Sequence, residues 1–307
     1  MRKILLASTA LVALGVSAAS ADISISGSGK WSYKSISDST AGASGDSFST
    51  SMGITVASSF ASDSGLTYGT SHSLANGTND GMKVYVSGSF GEFRVGGDSA
   101  GAAYDVDAAV ADGEASSPSG YAGKASTAKA SDNGISYFTP SVNGFSAGVS
   151  FDDAGAGASN NNDVTEMGAS YSQAVGDATV KLSYATRDTS AATTGGNGSS
   201  ATSMGASITM GDLSVTLAAN TQKTDNGSED GSGTGIGVSY VLSEGLTLKA
   251  HTISGEDDAN TAVDNTETAA SLTYVVAPGL TANIAYTDSE AGSTTSNATT
   301  AYLKVAF

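Results

Sequence analysis

The stretch "GSFGEFRVGG", residues 88–97, carries the pattern that decides the fold of this chain. When residues are counted in steps of two, the apolar side chains share one phase, which includes Phe90 and Phe93, and charged side chains such as Arg94 share the other. Alternation with period two around a glycine indicates a β-hairpin, and we place its turn at Gly91-Glu92. The predicted hairpin therefore has one apolar face and one charged face.

Similar hairpins follow one another from residue 22 to residue 307. We predict sixteen strands, at residues 22–36, 47–60, 65–75, 82–90, 92–98, 133–140, 144–152, 163–173, 177–187, 200–210, 212–223, 232–242, 245–254, 265–276, 279–288 and 298–307. Tight connections are predicted at 61–65, 91–92, 140–144, 175–177, 211–212, 243–245 and 277–279, and long polar connections at 37–46, 76–81, 98–132, 153–162, 188–199, 224–231, 255–264 and 289–297. A closed antiparallel barrel with short turns at one rim and long loops at the other produces this strict alternation.

Aromatic residues lie just inside the tight turns and share the apolar phase. They include Phe90, Phe93, Phe145, Tyr171, Tyr240 and Tyr274. Such a ring is typical of the aromatic girdle of a transmembrane barrel, and the alternative is aromatic pairing inside a soluble sandwich. Because the aliphatic residues form a thin band interrupted by Gly and Thr, they suit lipid better than a densely packed core. We therefore predict an all-β fold, a closed antiparallel transmembrane barrel of sixteen strands with short periplasmic turns and long extracellular loops.

Residues 1–21, "MRKILLASTALVALGVSAASA", have the three parts of a secretory signal peptide: two cations, an apolar run and a small-residue end. A membrane anchor is the weaker alternative, because the apolar run is shorter than the roughly 20 residues that span a bilayer as a helix. No later segment is apolar enough for a transmembrane helix, which excludes a helical membrane protein. We predict cleavage after Ala21 and a barrel over residues 22–307.

The chain carries 30 acidic and 13 basic residues, a formal net charge of −17. Removal of the signal peptide takes Arg2 and Lys3 and no acid, which lowers the net charge to −19. This charge disfavours nucleic acid and anionic headgroups as partners. The chain has no cysteine, so the exported fold must depend on backbone pairing and packing rather than on disulfides.

Enzymatic chemistry has little support in the sequence. The two histidines, His72 and His251, lie on predicted strands without a neighbouring nucleophile motif, although a Ser–His pair formed in space stays open. No GxSxG, HExxH, cysteine cluster or Walker loop is present. We predict that the protein is not an enzyme and requires no cofactor.

Oxygen-rich clusters suggest weak calcium sites. Glu256, Asp257 and Asp258 in "GEDDAN" could bind Ca²⁺, although they lack the spacing of an EF-hand loop and solvated surface charge is the favoured alternative. The same composition suggests a second class of protein, a secreted or surface-anchored calcium-binding β-rich adhesin. Such an adhesin would need a fixed-period repeat, which the chain lacks, and gives no reason for the alternating loop lengths.

The end of the chain, "AYLKVAF", places Leu303, Val305 and Phe307 in one phase. Bacterial outer-membrane barrels end in a similar way, with a terminal Phe that the assembly machinery recognises. With the signal peptide and sixteen segments, the mature chain resembles the general diffusion porins of the alphaproteobacterial outer membrane. The stretch "GSFGEFRVGGDSAGAAYD" falls where that family places strand 4, a tight turn, strand 5 and the start of loop 3.

The resemblance implies a homotrimer in the outer membrane of a Gram-negative bacterium, in contact with lipid, lipopolysaccharide and the barrel assembly machinery. Small hydrophilic solutes and ions would diffuse passively through its water-filled lumen. It also implies that loop 3, residues 98–132, folds into the barrel and faces a basic wall, the alternative being an exposed extracellular loop. The constriction acids would then be Asp98, Asp105, Asp107, Asp112 and Glu114.

The phase opposite the apolar one supplies the basic wall. Its candidates are Arg94, Lys83, Lys181, Arg187 and Lys249, and Lys30, Lys34 and Lys304 share the phase but are expected to be solvated without a role in selectivity. Only two arginines remain in the mature chain, so a dense arginine ladder is excluded and the loop acids predict a preference for cations. A barrel dedicated to one substrate would need a slide of aromatics or a dense basic cluster, and we predict neither in the lumen.

Overall fold

The computed structural model of the protein describes residues 22–40, 44–76, 78–96, 101–102, 134–152, 163–191, 197–226, 230–257 and 265–307. Sixteen strands run through these residues. They are β1 (Asp22–Asp38), β2 (Gly45–Ala61), β3 (Thr67–Ala75), β4 (Thr78–Gly88), β5 (Gly91–Gly96), β6 (Gly134–Phe138), β7 (Phe145–Asp152), β8 (Val164–Val175), β9 (Ala178–Thr189), β10 (Ser199–Met210), β11 (Leu213–Thr224), β12 (Gly231–Ser243), β13 (Leu246–Asp257), β14 (Asn265–Ala277), β15 (Leu280–Ala291) and β16 (Thr294–Ala306). The predicted signal peptide, residues 1–21, lies outside the described residues and stays a prediction.

The strands form one closed barrel in which each strand pairs with its neighbours in the chain and β1 pairs with β16. Every pairing is antiparallel. Gly27 and Phe307 complete the seam: the Gly27 N–H donates to the Phe307 carbonyl at 2.9 Å, and the Phe307 N–H donates to the Gly27 carbonyl at 3.0 Å. A closed ring leaves no unpaired sheet edge, which is the condition for a sheet inside a bilayer. The predicted closed, all-β antiparallel barrel of sixteen strands is confirmed.

The two faces of the barrel differ sharply in polarity. Large apolar side chains are exposed on the outer face, for example Ile25 at 62% and Leu217 at 51%. Polar residues of the inner face are buried, for example Ser203 at 0% and Asn220 at 8%. A soluble sandwich would bury its apolar face, so this arrangement requires an apolar surrounding such as lipid.

The opening hairpin has the predicted faces but not the predicted turn. Gly88 pairs with Gly91, so the turn is Ser89-Phe90 rather than Gly91-Glu92. Gly91 follows the turn at φ 108°, a left-handed conformation that favours glycine. The hairpin therefore requires a glycine directly after the turn and not within it. Because the correct centre is two residues from the predicted one, every side chain keeps its face.

The strict alternation of loop lengths is wrong at two places. The predicted long connection at 289–297 is the two-residue turn Gly292-Ser293, since β15 continues to Ala291 and β16 starts at Thr294. The predicted connection at 76–81 is also short, because β4 already starts at Thr78. Gly292 has φ 57°, which lets the chain reverse tightly. Polar composition alone therefore failed to separate a strand end from a loop.

Other strand limits move by a few residues. The sixth strand, predicted at 133–140, is the short β6, which ends at Phe138. Within the described residues, no helix has the length and apolar character needed to cross a membrane.

Candidate functional site

The inner face of the barrel carries all eight basic residues that the sequence assigned to it. Cross-strand pairs fix this placement: Lys30 faces Lys304 across β1 and β16, and Tyr85 faces Arg94 across β4 and β5. The inward set is Lys30, Lys34, Lys83, Arg94, Lys181, Arg187, Lys249 and Lys304. Lys223 lies in the opposite, outward phase of β11, near the long-loop rim.

Several of these cations lie at one level near the short-turn rim. Arg94, Lys181 and Lys249 each stand three residues after the first residue of their strand. With a rise of about 3.3 Å per residue and a tilt near 45°, this is roughly 7 Å in from the rim. Lys304 stands three residues before the terminal Phe307, and Lys30 is its partner across the seam. The wall is therefore basic at several points around the short-turn mouth.

Arg94 contacts a carboxylate and an aromatic ring on the inner wall. Its Nε forms an ion pair with Glu92, and its guanidinium carbon lies 4.3 Å from the centre of the Phe138 ring. The ring lies against the backbone of β7 at Gly148, where an added Cβ would stand 2.7 Å from ring carbons of Phe138. Cation–π stacking and the ion pair leave the Arg94 side chain only 20% exposed. The guanidinium is therefore fixed in position.

A cavity of about 500 Å³ opens beside this cluster. Its lining includes Ser87, Glu92, Arg94, Phe138, Thr139 and Ser146. The polar groups of the lining bond to one another or to the backbone, as when the Ala147 N–H donates to Thr139 Oγ1 at 2.9 Å. The cavity is thus a polar recess in the pore wall.

A buried polar network lies on the same wall, farther from the short-turn rim. Ser150 Oγ accepts the N–H of Gly101 at 3.1 Å and the N–H of Ala102 at 3.0 Å, and it donates to Glu166 Oε2 at 3.4 Å. Glu166 Oε1 lies 3.9 Å from Arg187 Nε, an ion pair too long for a hydrogen bond. Ser150 and Glu166 are each 2% exposed although they face the lumen.

His251 forms a second buried pair on the opposite wall. Its Nε2 lies 2.9 Å from Glu267 Oε1, and the two side chains are 2% and 0% exposed. Ser289 Oγ donates to Glu267 Oε2 at 3.5 Å. The serine thus contacts the carboxylate rather than the imidazole, so the group is not arranged as a Ser–His nucleophile. His72 lies on the outer face between Val56 and Met82.

Three aromatic residues of the described strands face the lumen, where the sequence predicts no slide of aromatics. Tyr85, Phe138 and Tyr302 all belong to the inward phase. Cations cover two of them, since Arg94 stacks on Phe138 and Lys30 Nζ lies 5.3 Å from the centre of the Tyr302 ring. They therefore hold charged side chains in place and do not form a continuous apolar track.

The acids predicted for the constriction, Asp98, Asp105, Asp107, Asp112 and Glu114, lie outside the described residues. Of the predicted calcium ligands, Glu256 is exposed at the end of β13, Asp257 pairs through its backbone with Gly231, and Asp258 is outside the described residues. Among the side chains that the structure describes, no group of three or more His, Cys, Asp or Glu residues could hold a metal ion.

The sequence reasoning missed the inward Phe138, Ser150, Glu166 and Glu267. Their phase was readable, because Ser136 and Phe138 alternate with the outward Ile135 and Tyr137. Their contacts were not readable, because they depend on the exact register between neighbouring strands and, for Ser150, on the position of residues 101–102.

The sequence matches the family described as Gram-negative porin over residues 7–304. The chain belongs to the Gram-negative porin family. It is accordingly an outer-membrane channel for the passive diffusion of small hydrophilic solutes and ions. The match does not separate the alphaproteobacterial branch, which stays a prediction. The sequence matches no curated protein.

Solved structures of outer-membrane proteins, porins among them, share the fold at low sequence identity. A loop L8 deletion mutant of OmpT, an outer membrane protein of Vibrio cholerae, has a TM-score of 0.76 at 13% identity, covering 94% of this chain and 99% of that one. An anion-selective porin from Comamonas acidovorans has a TM-score of 0.68 at 14% identity, covering 94% of this chain and 100% of that one. A mutant of the porin from Rh. blastica has a TM-score of 0.63 at 17% identity, with coverage of 93% and 100%.

Proposed function

We propose that this porin is a general diffusion channel whose ion preference is set by the charges of its inner face and of residues 98–132. The observation that carries the proposal is the separation of faces in the described strands: most large apolar side chains point outward and are exposed, and the eight basic residues of the inward set point inward. Water and ions can follow a polar wall, and rings of charged side chains select among them.

The proposal includes a constriction formed by residues 98–132 inside the barrel. Gly101 and Ala102 support it, because both are buried and donate their N–H groups to Ser150 on the inner face of β7. Gly101 comes five residues after the end of β5 at Gly96. Residues 101–102 therefore lie against the inner wall, as a segment that enters the lumen would require.

We expect a weak preference for cations. Both arginines of the mature chain are paired with glutamates, Arg94 with Glu92 and Arg187 with Glu166, so neither acts as a free positive charge on the wall. The five acids predicted for the constriction would then outweigh the lysines of the inner wall. Lys181 and Lys249 lie near the short-turn mouth, where their positive charges repel cations. They therefore keep the cation preference modest.

The proposal includes no catalytic role. His251 is bonded to a buried glutamate, and His72 lies on the outer face, so neither is placed beside a nucleophile among the described residues. The channel requires no cofactor. We keep weak Ca²⁺ binding near Glu256, Asp257 and Asp258 as a proposal that rests on their carboxylates alone.

A homotrimer is the proposed assembly in the membrane, in contact with lipopolysaccharide and inserted by the barrel assembly machinery. One similar structure, OmpT of Vibrio cholerae folded in vitro, is a trimer form, with a TM-score of 0.72 at 11% identity and coverage of 94% of this chain and 99% of that one. On this chain the outer face of β1 to β3 carries small or polar residues at Gly29, Ser58, Thr70 and His72. Such residues suit contact with protein better than contact with lipid tails.

The experiment is single-channel recording in planar bilayers with a KCl gradient. We expect stable current steps and a reversal potential on the cation side. Lys181→Gln removes an inward cation and should shift the reversal potential further toward cations, whereas Lys223→Gln removes an outward cation and should leave it unchanged. A correctly folded sample that gives no steps would refute the channel, and a reversal potential on the anion side would refute the cation preference.

A further inference from the structure

We propose that Ser150, with Gly148 beside it on β7, forms a seat that fixes the start of the constriction segment against the pore wall. Ser150 is a positioning residue in this proposal: it acts through Gly101 and Ala102 on the width and steadiness of the pore. The inference rests on the proposed function, because the current through the channel is its readout.

The hydroxyl of Ser150 uses its full bonding capacity. A serine hydroxyl has one proton to donate and two lone pairs to accept. Here the lone pairs take the N–H groups of Gly101 and Ala102, and the proton points to Glu166 Oε2. A single side chain therefore joins two consecutive backbone donors of the segment to the wall.

Burial makes these bonds important. Ala102 is 0% exposed, and Ser150 and Glu166 are each 2% exposed. A backbone N–H or a carboxylate that loses its partner away from water is costly. While Ser150 is present, the N–H groups of Gly101 and Ala102 keep their partner at the wall, so detachment of these residues is unfavourable. Without the Ser150 hydroxyl, the same two N–H groups are left unpaired.

The surface around the hydroxyl is shaped to receive the segment. Gly148 is the next inward residue of β7, and an added Cβ there would stand 3.4 Å from the Ala102 Cβ and 2.7 Å from ring carbons of Phe138. The missing side chain thus leaves room for Ala102 and for the ring that carries Arg94. Ala102 and the Phe138 ring that stacks on Arg94 therefore both pack against Gly148 of β7.

A matched control is available on the neighbouring strand. Ser136 on β6 lies directly across from Ser150, and it is also 2% exposed. Among the residues that the structure describes, no group forms a hydrogen bond with its Oγ. Ser136→Ala and Ser150→Ala therefore remove the same atom at the same depth, and only the second removes bonds to Gly101 and Ala102.

The test compares open-channel current noise and single-channel conductance of the full-length protein with those of Ser136→Ala, Ser150→Ala and Gly148→Ala. We expect a several-fold rise in noise and an altered conductance for Ser150→Ala, with Ser136→Ala like the parent. Gly148→Ala should also raise the noise, because its methyl group would displace the Phe138 ring that carries Arg94. The folded barrel, measured by its resistance to unfolding in detergent, should persist in all three.

The seat is refuted if Ser150→Ala conducts as quietly as Ser136→Ala while both form channels. Identical changes in both serine variants would refute the seat as well. The changes would then come from the loss of packing around the hydroxyl and not from the loss of bonds to Gly101 and Ala102. Failure of the parent protein to form channels would refute the proposed function itself, which separates that failure from failure of the seat.

Discussion

Leu217 and Ala218 are neighbours on β11, yet they meet opposite environments. Leu217 faces outward, 51% exposed, and lies across from Ala206 and Ile236. Ala218 faces inward and lies across from Gly205 and Gly235. The outer face must stay apolar for the protein to remain in a membrane, whereas the inner face can change its charge without affecting the strand pairing. Stability and selectivity are thus encoded in alternate residues.

The inner face does not tolerate a change of charge at every position. Where it is covered, as at His251 and Glu267, it resembles the interior of a soluble protein, with buried polar groups that need partners. Where the inner face is open, as near Lys181, water hydrates a charged side chain. The free-energy cost of placing a charge there is therefore small. The comparison between the faces therefore holds only for uncovered inner positions.

The two histidines provide the strongest test of this limit. His251→Leu should leave the Glu267 carboxylate buried without its main partner and cost about 3 kcal/mol or more. His72→Leu places an apolar group on the outer face beside Val56 and Met82 and should not destabilise the barrel. Urea unfolding from lipid vesicles measures both, and equal losses for the two variants would contradict the assigned faces.

The pair on β11 tests the open positions. Leu217→Arg should cost about 2–4 kcal/mol of unfolding free energy, because a cation would face lipid near the middle of the strand. Ala218→Arg should change stability by less than about 1 kcal/mol, since the glycines across from it leave space and water can hydrate the charge. It should also move the reversal potential toward anions. Equal stability losses in the two variants would show that both faces are dry.

The Arg94 cluster should give the smallest effect on stability. Phe138→Leu removes the ring under the guanidinium and should cost about 0.5–1 kcal/mol. Arg94→Gln should shift the permeability ratio toward cations by no more than several-fold, because a unit charge at about 4 Å in water is worth about 1 kcal/mol. Phe145→Leu, on the outer face of β7, is the control for ring loss and should leave the permeability ratio unchanged.

The sequence alone was sufficient to predict the strand faces and most of the tight turns. The turn at Ser89-Phe90 was misplaced by two residues without harm, since parity decides which way Arg94 points. The two-residue turn at Gly292-Ser293 was missed because polar strand ends and polar loops have the same composition. Period two is thus a more reliable signal than loop composition.

The candidate site was only partly predictable. The inward phase of Arg94, Glu92 and Arg187 followed from alternation, but the partners Phe138 and Glu166 depend on cross-strand register and side-chain packing. Ser150 looked like any other serine of a polar face. Its importance comes from the return of residues 101–102 to β7, a contact between positions 48 and 49 residues apart in the chain.

The central claim, that alternate residues line a conducting water pathway, has a direct test because the chain contains no cysteine. Single cysteines would be introduced at Leu217 and Ala218, and a charged thiol reagent that does not cross membranes would be added during current recording. A water-filled lumen predicts a stepwise change in current for Ala218→Cys and none for Leu217→Cys. Modification at Leu217→Cys with no response at Ala218→Cys would contradict the claim.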